Sequence, residues 1–354
     1  MKALITAGGK GTRLRPLTHT QNKHLIPIAN KPILHYALEK VAAAGITEVG
    51  ITTHQAGNEV KEALGAGERW GLNITYIPQE EPLGLAHVVK ISRNFIGDEP
   101  FIFYLGDNMV VGGLEKFIAA FYEAKSNCHL TLSRVKDPER FGVPELKDNR
   151  IIAIEEKPAH PKSAFAVSGI YIYDSSIFQA VNNIKPSARG ELEISDAHQY
   201  LLDHNYSISY SEITGWWKDT GKPEDILEAN RLILEHTQSR VAGSVDKLSL
   251  VTGEVVIEEG AQIINSVLRG PIVIGKNTIV DNSFIGPFTS IGDNCTIKKS
   301  EVEFSIVLNQ CEITDVGVRI ESSLLGAGAR VVKATVRPKT HRFMVGDQSL
   351  IEIR

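Results

Sequence analysis

Groups able to handle anions gather where the chain turns sharply. The first such place is Leu4-Ile5-Thr6-Ala7-Gly8-Gly9-Lys10-Gly11-Thr12-Arg13-Leu14-Arg15-Pro16. Apolar residues of strand type run into glycines, then into arginine. Without a Cβ, the backbone at Gly8, Gly9 and Gly11 can turn tightly and bring its N–H groups against a ligand. Successive N–H groups make a concave anion site, and Arg13 adds a fork of donors. The pattern is neither of the common phosphate loops. A dinucleotide fingerprint needs a third glycine where Leu14 stands, and no Gly-Lys-Ser/Thr follows a four-residue spacer. A βα turn with glycines for geometry alone is the competing reading. Further on, Gly106-Asp107-Asn108 follows an apolar run, and an aspartate there suits a hard cation with oxygen ligands or a cap on the next segment. Glu155-Glu156-Lys157-Pro158 sets a carboxylate beside an ammonium, either as a surface pair or as a positioned one. Lys218-Asp219-Thr220-Gly221 supplies a second aspartate in a glycine-bounded turn.

The elements that must carry these groups alternate in type. Strands are expected at Met1–Thr6, Glu48–Thr52, Asn73–Pro78, Pro100–Leu105, Ile151–Glu156 and Val167–Tyr173. Helices are expected from about Pro32 to Ala44 and from Asn58 to Leu64. That alternation argues a mostly parallel sheet with helices on both faces, whose ligands sit at the carboxyl ends of the strands. Both the Gly-rich loop and the loop Gln79-Glu80-Glu81-Pro82-Leu83-Gly84 fall at that edge. Asn22 to Pro32 carries Lys23 and reads as an extended segment pinned by Pro27 and Pro32. An amphipathic helix over about 223–239 closes the domain.

The last third changes character. Ile257, Ile274, Ile291, Leu308 and Leu325 recur at one step, as do Ile263, Val280 and Ile297, and Leu268, Ile285 and Val302. Three aliphatic files per repeat describe a triangular solenoid with one flat β face per file. Each coil exposes its apolar face until the next covers it, so caps are needed. The helix before the solenoid is expected at one end, and Val336 to Arg354 at the other.

Composition sets bounds. The chain has 354 residues, 42% hydrophobic and 23% charged, which suits two domains of a soluble globular protein. A net charge of −4 offers no footprint for nucleic acid or an anionic membrane. Cys128, Cys295 and Cys311 lack metal-ligand spacing and read as small buried side chains in a reducing compartment, so a cytoplasmic location is expected.

Taken in order, Gly8-Gly9-Lys10-Gly11-Thr12-Arg13, Lys23 with Pro27, Gly106-Asp107-Asn108, Glu156-Lys157-Pro158 and Lys218-Asp219-Thr220-Gly221 resemble the motifs of sugar-1-phosphate nucleotidylyltransferases. Among these the chain is similar to the thymidylyltransferases of long form. The resemblance spans the chain and implies a Rossmann-like, doubly wound α/β catalytic domain over 1–239, then a left-handed parallel β-helix over 240–354. It implies dTTP or UTP and a sugar 1-phosphate, most naturally glucose 1-phosphate, as substrates, Mg²⁺ as cofactor, and a homo-oligomer. By position, Ala7, Gly8, Gly9, Gly11, Thr12 and Arg13 would hold the triphosphate, and Gln79, Pro82 and Gly84 the base. Arg13, Lys23 and Asp107 would be catalytic, with Asp107 and Asp219 on the metal. Leu105, Gly142, Glu156, Lys157, Val167, Tyr171 and Glu191 would line the sugar-phosphate pocket. Departures from the family pattern fall at His24, Asn30 and His87.

The implied chemistry follows from charge. A phosphate oxygen of glucose 1-phosphate attacks the α-phosphorus of dTTP, and pyrophosphate leaves in line. Both partners are anions, so neutralising their repulsion is the main task, and no general base is needed. Two other readings are open. A non-catalytic relative would be expected to lose the charged set, which is present here. An acyltransferase solenoid would want a histidine base on a coil, and the coils have none. An assembly and packing role for the solenoid is the expectation.

Overall fold

The computed structural model describes residues 1–9, 11–54, 58–334 and 341–353. Lys10 and the proposed cap's ends, Val336 and Arg354, lie outside the described residues. The chain forms two compact units. The first comprises 1–10, 22–25 and 33–219; the second comprises 11–21, 26–32 and 220–354. The second unit therefore takes in the closing helix and two short N-terminal segments as well as the solenoid.

The first unit is built on seven strands: β1 (Lys2–Thr6), β2 (Glu48–His54), β3 (Asn73–Gln79), β4 (Phe101–Leu105), β5 (Cys128–Arg134), β6 (Phe165–Tyr173) and β7 (Ile208–Glu212). Their order is β7-β5-β6-β4-β1-β2-β3, and only β6 runs antiparallel to its neighbours. Alternate residues of one strand serve opposite cores, as the two-residue strand period requires. Ala3, Ile5, Ile102 and Tyr104 pack with helices α1 (Ile33–Ala43), α2 (Asn58–Leu64) and Phe117 and Phe121 of α4 (Glu115–Ala124). Leu4, Phe101 and Phe103 pack with α3 (Leu85–Ile91), α5 (Ile177–Asn183) and α6 (Ile194–Asp203). Strands buried on both sides read as apolar runs, which is why they stand out in the sequence.

Two antiparallel ribbons were not expected. Gly142–Lys147 pairs with Arg150–Glu156, so Gly142 faces Glu156. Asn108–Val110 pairs with Trp217–Asp219, so Asp219 faces Asn108. The strands of this second ribbon are remote in sequence, and local pattern does not reveal such a pairing.

The second unit contains three parallel sheets of short strands, consistent with a left-handed β-helix. Their inward aliphatics form one core. The file through Ile257, Ile274 and Ile291 continues through Val307, not Leu308, and then Leu325. One coil is a residue short and the next a residue long, so the two irregular steps cancel and a fixed period lands one residue off.

Helix α7 (Pro223–Leu234) does not cap this stack. It lies along one side, where Leu234, Val256 and Val273 bury one another with Ala29 against them. Val256 and Val273 are the middle residues of their strands and point away from the solenoid core, so they need this cover. Asn230, fully buried on α7, accepts from Ala29 N (2.8 Å) and Ser290 Oγ (2.7 Å) and donates to Phe288 O (3.0 Å). Ala29 and Asn30 turn a tight hairpin between Pro27–Ile28 and Lys31–Pro32, both at positive φ, so that segment is not extended throughout. The Asn30 amide donates to Ile291 O at 2.7 Å.

Candidate active site

Strand β1 delivers Ala7, whose N–H bonds Thr52 O and whose carbonyl accepts from the Asn22 amide. A Cβ on Gly9 would stand 2.8 Å from Lys23 Cε, so the glycine is what lets the lysine pass. Lys23 Nζ pairs with Asp107 Oδ2, and each side chain is 14% exposed. Burial alone would raise the Asp107 carboxyl, but the adjacent Lys23 ammonium outweighs it and holds the group far below the usual carboxylate range. His24, fully buried beside this pair, is lowered to about 3, first by burial and then by Lys23, and is neutral at physiological pH.

Asn108, which the sequence offered only as a neighbour of Asp107, organises the ribbon. Its Nδ2 donates to Asp107 Oδ1 at 2.9 Å, while its Oδ1 accepts from Trp217 Nε1 (2.7 Å) and Gly169 N (3.3 Å). Asp219 lies across the ribbon from it. The Tyr171 hydroxyl is pushed well above its usual range by burial, and the charges of Glu156, Asp107 and Asp219 push the same way. These carboxylates thus share the electrostatic surroundings of one buried phenol on β6. Because β6 is antiparallel, its early residue Val167 lies at the edge where β4 ends in Leu105.

Around Glu156 the ribbon Gly142–Glu156 meets the loop leading into α6. Glu156 Oε1 pairs with Lys157 Nζ (3.0 Å), and Glu156 Oε2 accepts from Ser195 Oγ (2.7 Å). Arg189 reaches Glu156 (3.5 Å), Glu193 (2.8 Å) and Glu191 (4.0 Å). A Cβ on Gly142 would fall 2.5 Å from Ser195 Oγ and 3.4 Å from Glu156 Oε2. In the sequence, Arg189-Gly190-Glu191-Leu192-Glu193-Ile194-Ser195 reads only as an acidic loop entering a helix. The contacts of Ser195 and Arg189 with Glu156 cross 39 and 33 residues and leave no local signal.

The third cluster lies at the end of β3. Gln79, 7% exposed, places its Oε1 3.4 Å from where a Cβ on Gly8 would be. Gly84 has φ +99°, and a Cβ there would come 2.4 Å from Leu192 O. The backbones of the two loops are bonded to each other, Leu192 N to Leu83 O (2.8 Å) and Ala86 N to Leu192 O (3.1 Å). Gly84 therefore has a structural reason besides any contact to a base, and Pro82 beside it is exposed. Gly11, Thr12 and Arg13 belong to the second unit. There Gly11 sits in the left-handed region and opens a single 3₁₀ turn, with Thr12 and Arg13 exposed.

Residues 2–236 match the family model described as nucleotidyl transferase. The chain is 51% identical over 354 residues to a glucose-1-phosphate thymidylyltransferase of Streptomyces griseus, covering 100% of this chain and 99% of that one. It is 40% identical, over the full length of both, to the low-salt glycan biosynthesis nucleotidyltransferase Agl11 of Haloferax volcanii. A solved UDP-glucose pyrophosphorylase in complex with UDP-glucose superposes with a TM-score of 0.60 at 25% identity, covering 66% of this chain and 98% of that one. Enzymes of this kind generally use a divalent metal. Asp107, just before the ribbon strand Asn108–Val110, and Asp219, opposite Asn108 on its partner strand, are hard oxygen donors of the kind such a metal takes. With the family model matched over most of its length and a relative at 51% identity from end to end, the chain belongs to the nucleotidyl transferase family of enzymes.

Proposed function

We propose that the protein transfers a thymidylyl group from dTTP to glucose 1-phosphate, giving dTDP-glucose and pyrophosphate. The observation that carries this reading is the pairing of Lys23 with Asp107 and of Lys157 with Glu156, with Asp219 across the ribbon from Asn108, whose amide bonds Asp107. Such a site joins cations and hydroxyl-binding carboxylates, as a reaction between two phosphorylated substrates requires. The 51% identity to a thymidylyltransferase supports the choice of base and sugar.

In this scheme the Ala7, Gly8, Gly9, Gly11 and Thr12 backbone and the Arg13 guanidinium hold the triphosphate. Lys23 contacts the phosphate under attack. Gln79, Pro82 and Gly84 meet the thymine. Glu156 takes sugar hydroxyls, Lys157 takes the sugar phosphate, and Leu105, Gly142, Val167, Tyr171 and Glu191 shape the pocket. Asp107 and Asp219 would hold Mg²⁺, which supplies positive charge against the crowded phosphates. Lys23, now paired with Asp107, is placed to exchange that partner for a phosphate oxygen. The attacking phosphate is already ionised at neutral pH, so the buried neutral histidines have no proton to take.

Exposed apolar residues crowd the chain's end, with Phe343, Met344, Val345, Leu350, Ile351 and Ile353 all open to solvent, which supports a homo-oligomer built through the second unit. The cysteines are free and buried, and no described helix is long and apolar enough to cross a membrane; we place the enzyme in the cytoplasm. Pyrophosphate release from a panel of nucleoside triphosphates against a panel of sugar 1-phosphates tests the reading. It predicts the highest kcat/KM for dTTP with glucose 1-phosphate. Preference for UTP would move the protein to uridylyl transfer, and no turnover with any pair would leave a non-catalytic relative.

A further inference from the structure

The base end of the site carries a histidine that the scheme above does not use. His87 stands on α3, and its Nδ1 lies 3.3 Å from Gln79 Nε2. An amide has two nearly identical ends. Turned over, it exchanges donor for acceptor while filling the same space. Gln79 is only 7% exposed, with Oε1 toward Gly8 and Nε2 toward His87, so neighbouring protein groups more than water set the amide's orientation. A neutral imidazole accepting at Nδ1 does select it. One Nε2 hydrogen goes to the ring, which leaves the other hydrogen and Oε1 side by side on the open edge. Turning the amide over would set Oε1 against the Nδ1 lone pair.

We propose that His87 is a positioning residue that fixes the polarity of the Gln79 amide and thereby makes the site select an imide pyrimidine over cytosine. The inference rests on Gln79 reading the base. An imide edge, as in thymine or uracil, offers a carbonyl acceptor next to an N3–H donor, which matches an amide presenting N–H beside Oε1. Cytosine offers an amino donor next to an N3 acceptor and needs the amide reversed. The lock holds only while Nδ1 accepts. Burial, and then Lys90 on the same helix, keep His87 below its ordinary pKa, against an opposing pull from Glu81 in the preceding loop. At neutral pH the ring is therefore uncharged; we assign it the tautomer with its proton on Nε2, in which Nδ1 accepts, and acid converts Nδ1 into a donor that repels the Nε2 hydrogen of Gln79.

The test compares the full-length protein, His87→Leu and Gln79→Ala with dTTP and dCTP, each against saturating glucose 1-phosphate. His87→Leu is expected to lower the dTTP to dCTP ratio of kcat/KM by about tenfold or more, the scale of one bidentate base contact. Its KM for glucose 1-phosphate and its unfolding midpoint should stay near the parent's. Acidification below neutral should raise the parent's KM for dTTP more steeply than that of His87→Leu, which removes the phosphates' own titration from the comparison. An unchanged ratio in His87→Leu with parallel pH profiles overturns the proposal, provided Gln79→Ala raises the KM for dTTP. If Gln79→Ala leaves that KM unchanged, the reading of Gln79 as the base contact falls, and this inference falls with it.

Discussion

Replacing Asp107 by asparagine removes one charge from a nearly enclosed pair and keeps the shape. Both side chains are 14% exposed, so the Lys23 ammonium would remain with little water to replace its partner. Breaking a buried pair from one side costs about 3–5 kcal/mol. The asparagine carbonyl still accepts one bond from Lys23, so about 2–3 kcal/mol is expected here. Lys23→Gln strands the carboxylate instead, and the double variant strands neither. The cycle should therefore return a coupling of about 1.5–3 kcal/mol. Trp70, Trp216 and Trp217 are the chain's only tryptophans and all lie in the first unit. Urea unfolding followed by their fluorescence thus reports on the right part of the molecule. The Asp107 carboxyl is held below its unfolded pKa, so its contribution is present above the ordinary carboxylate range and fades as pH falls below it. The Asp107→Asn variant should lose that part of the acid dependence. Its turnover should drop by at least about a thousandfold, the worth of several kcal/mol of charge stabilisation. A coupling below about 0.5 kcal/mol together with turnover within about tenfold of the parent would refute both the pair and the metal assignment.

Three further outcomes follow from the same geometry. Lys157→Ala should raise the KM for glucose 1-phosphate by about tenfold or more while dTTP affinity, read by calorimetry, changes little; equal losses for both ligands would reject the assignment. Gly142→Ala puts a methyl 2.5 Å from Ser195 Oγ, so Glu156 loses its hydroxyl partner and the sugar-phosphate KM rises with kcat less affected; unaltered kinetics would show that the Ser195 bond is not needed. Asn230→Ala leaves a buried N–H, a hydroxyl and a carbonyl without partners, which should cost about 3 kcal/mol or more, read as a lowered unfolding midpoint; a midpoint within a degree of the parent's would contradict it.

The parts of this protein legible in its sequence are those set by neighbours along the chain. Strands such as Phe101–Leu105 are continuous apolar runs because both faces are covered, and Asn58–Leu64 is a helix as expected. The solenoid announces itself because each coil repeats the chemistry of the last. What stayed hidden depends on residues far apart. Asp219 meets Asn108 across a ribbon whose strands lie about half of the first unit's chain apart, and Ser195 finds Glu156 only after the strand Phe165–Tyr173 and the helix Ile177–Asn183 intervene. The step from Ile291 to Val307 was misread because two opposite irregularities restore the period. Helix α7 was expected as a lid because its amphipathic pattern reveals an apolar face but not what the face meets. Asn30, a departure from the family pattern, turned out to bond Ile291 O.

The seam made by Asn230, Leu234 and Ala29 bears on how such a chain could be shortened. Scission after residue 239 would look harmless on a linear diagram, yet it would strip Val256 and Val273 from Leu234 and take away Ser290 and Phe288, leaving the Asn230 amide facing water. The fragment would keep a greasy stripe on its last helix and an unmoored turn at Ala29. A naturally short relative must therefore have solved that exposure with different side chains at these places, so its solenoid-free form is a redesign rather than a trimmed copy.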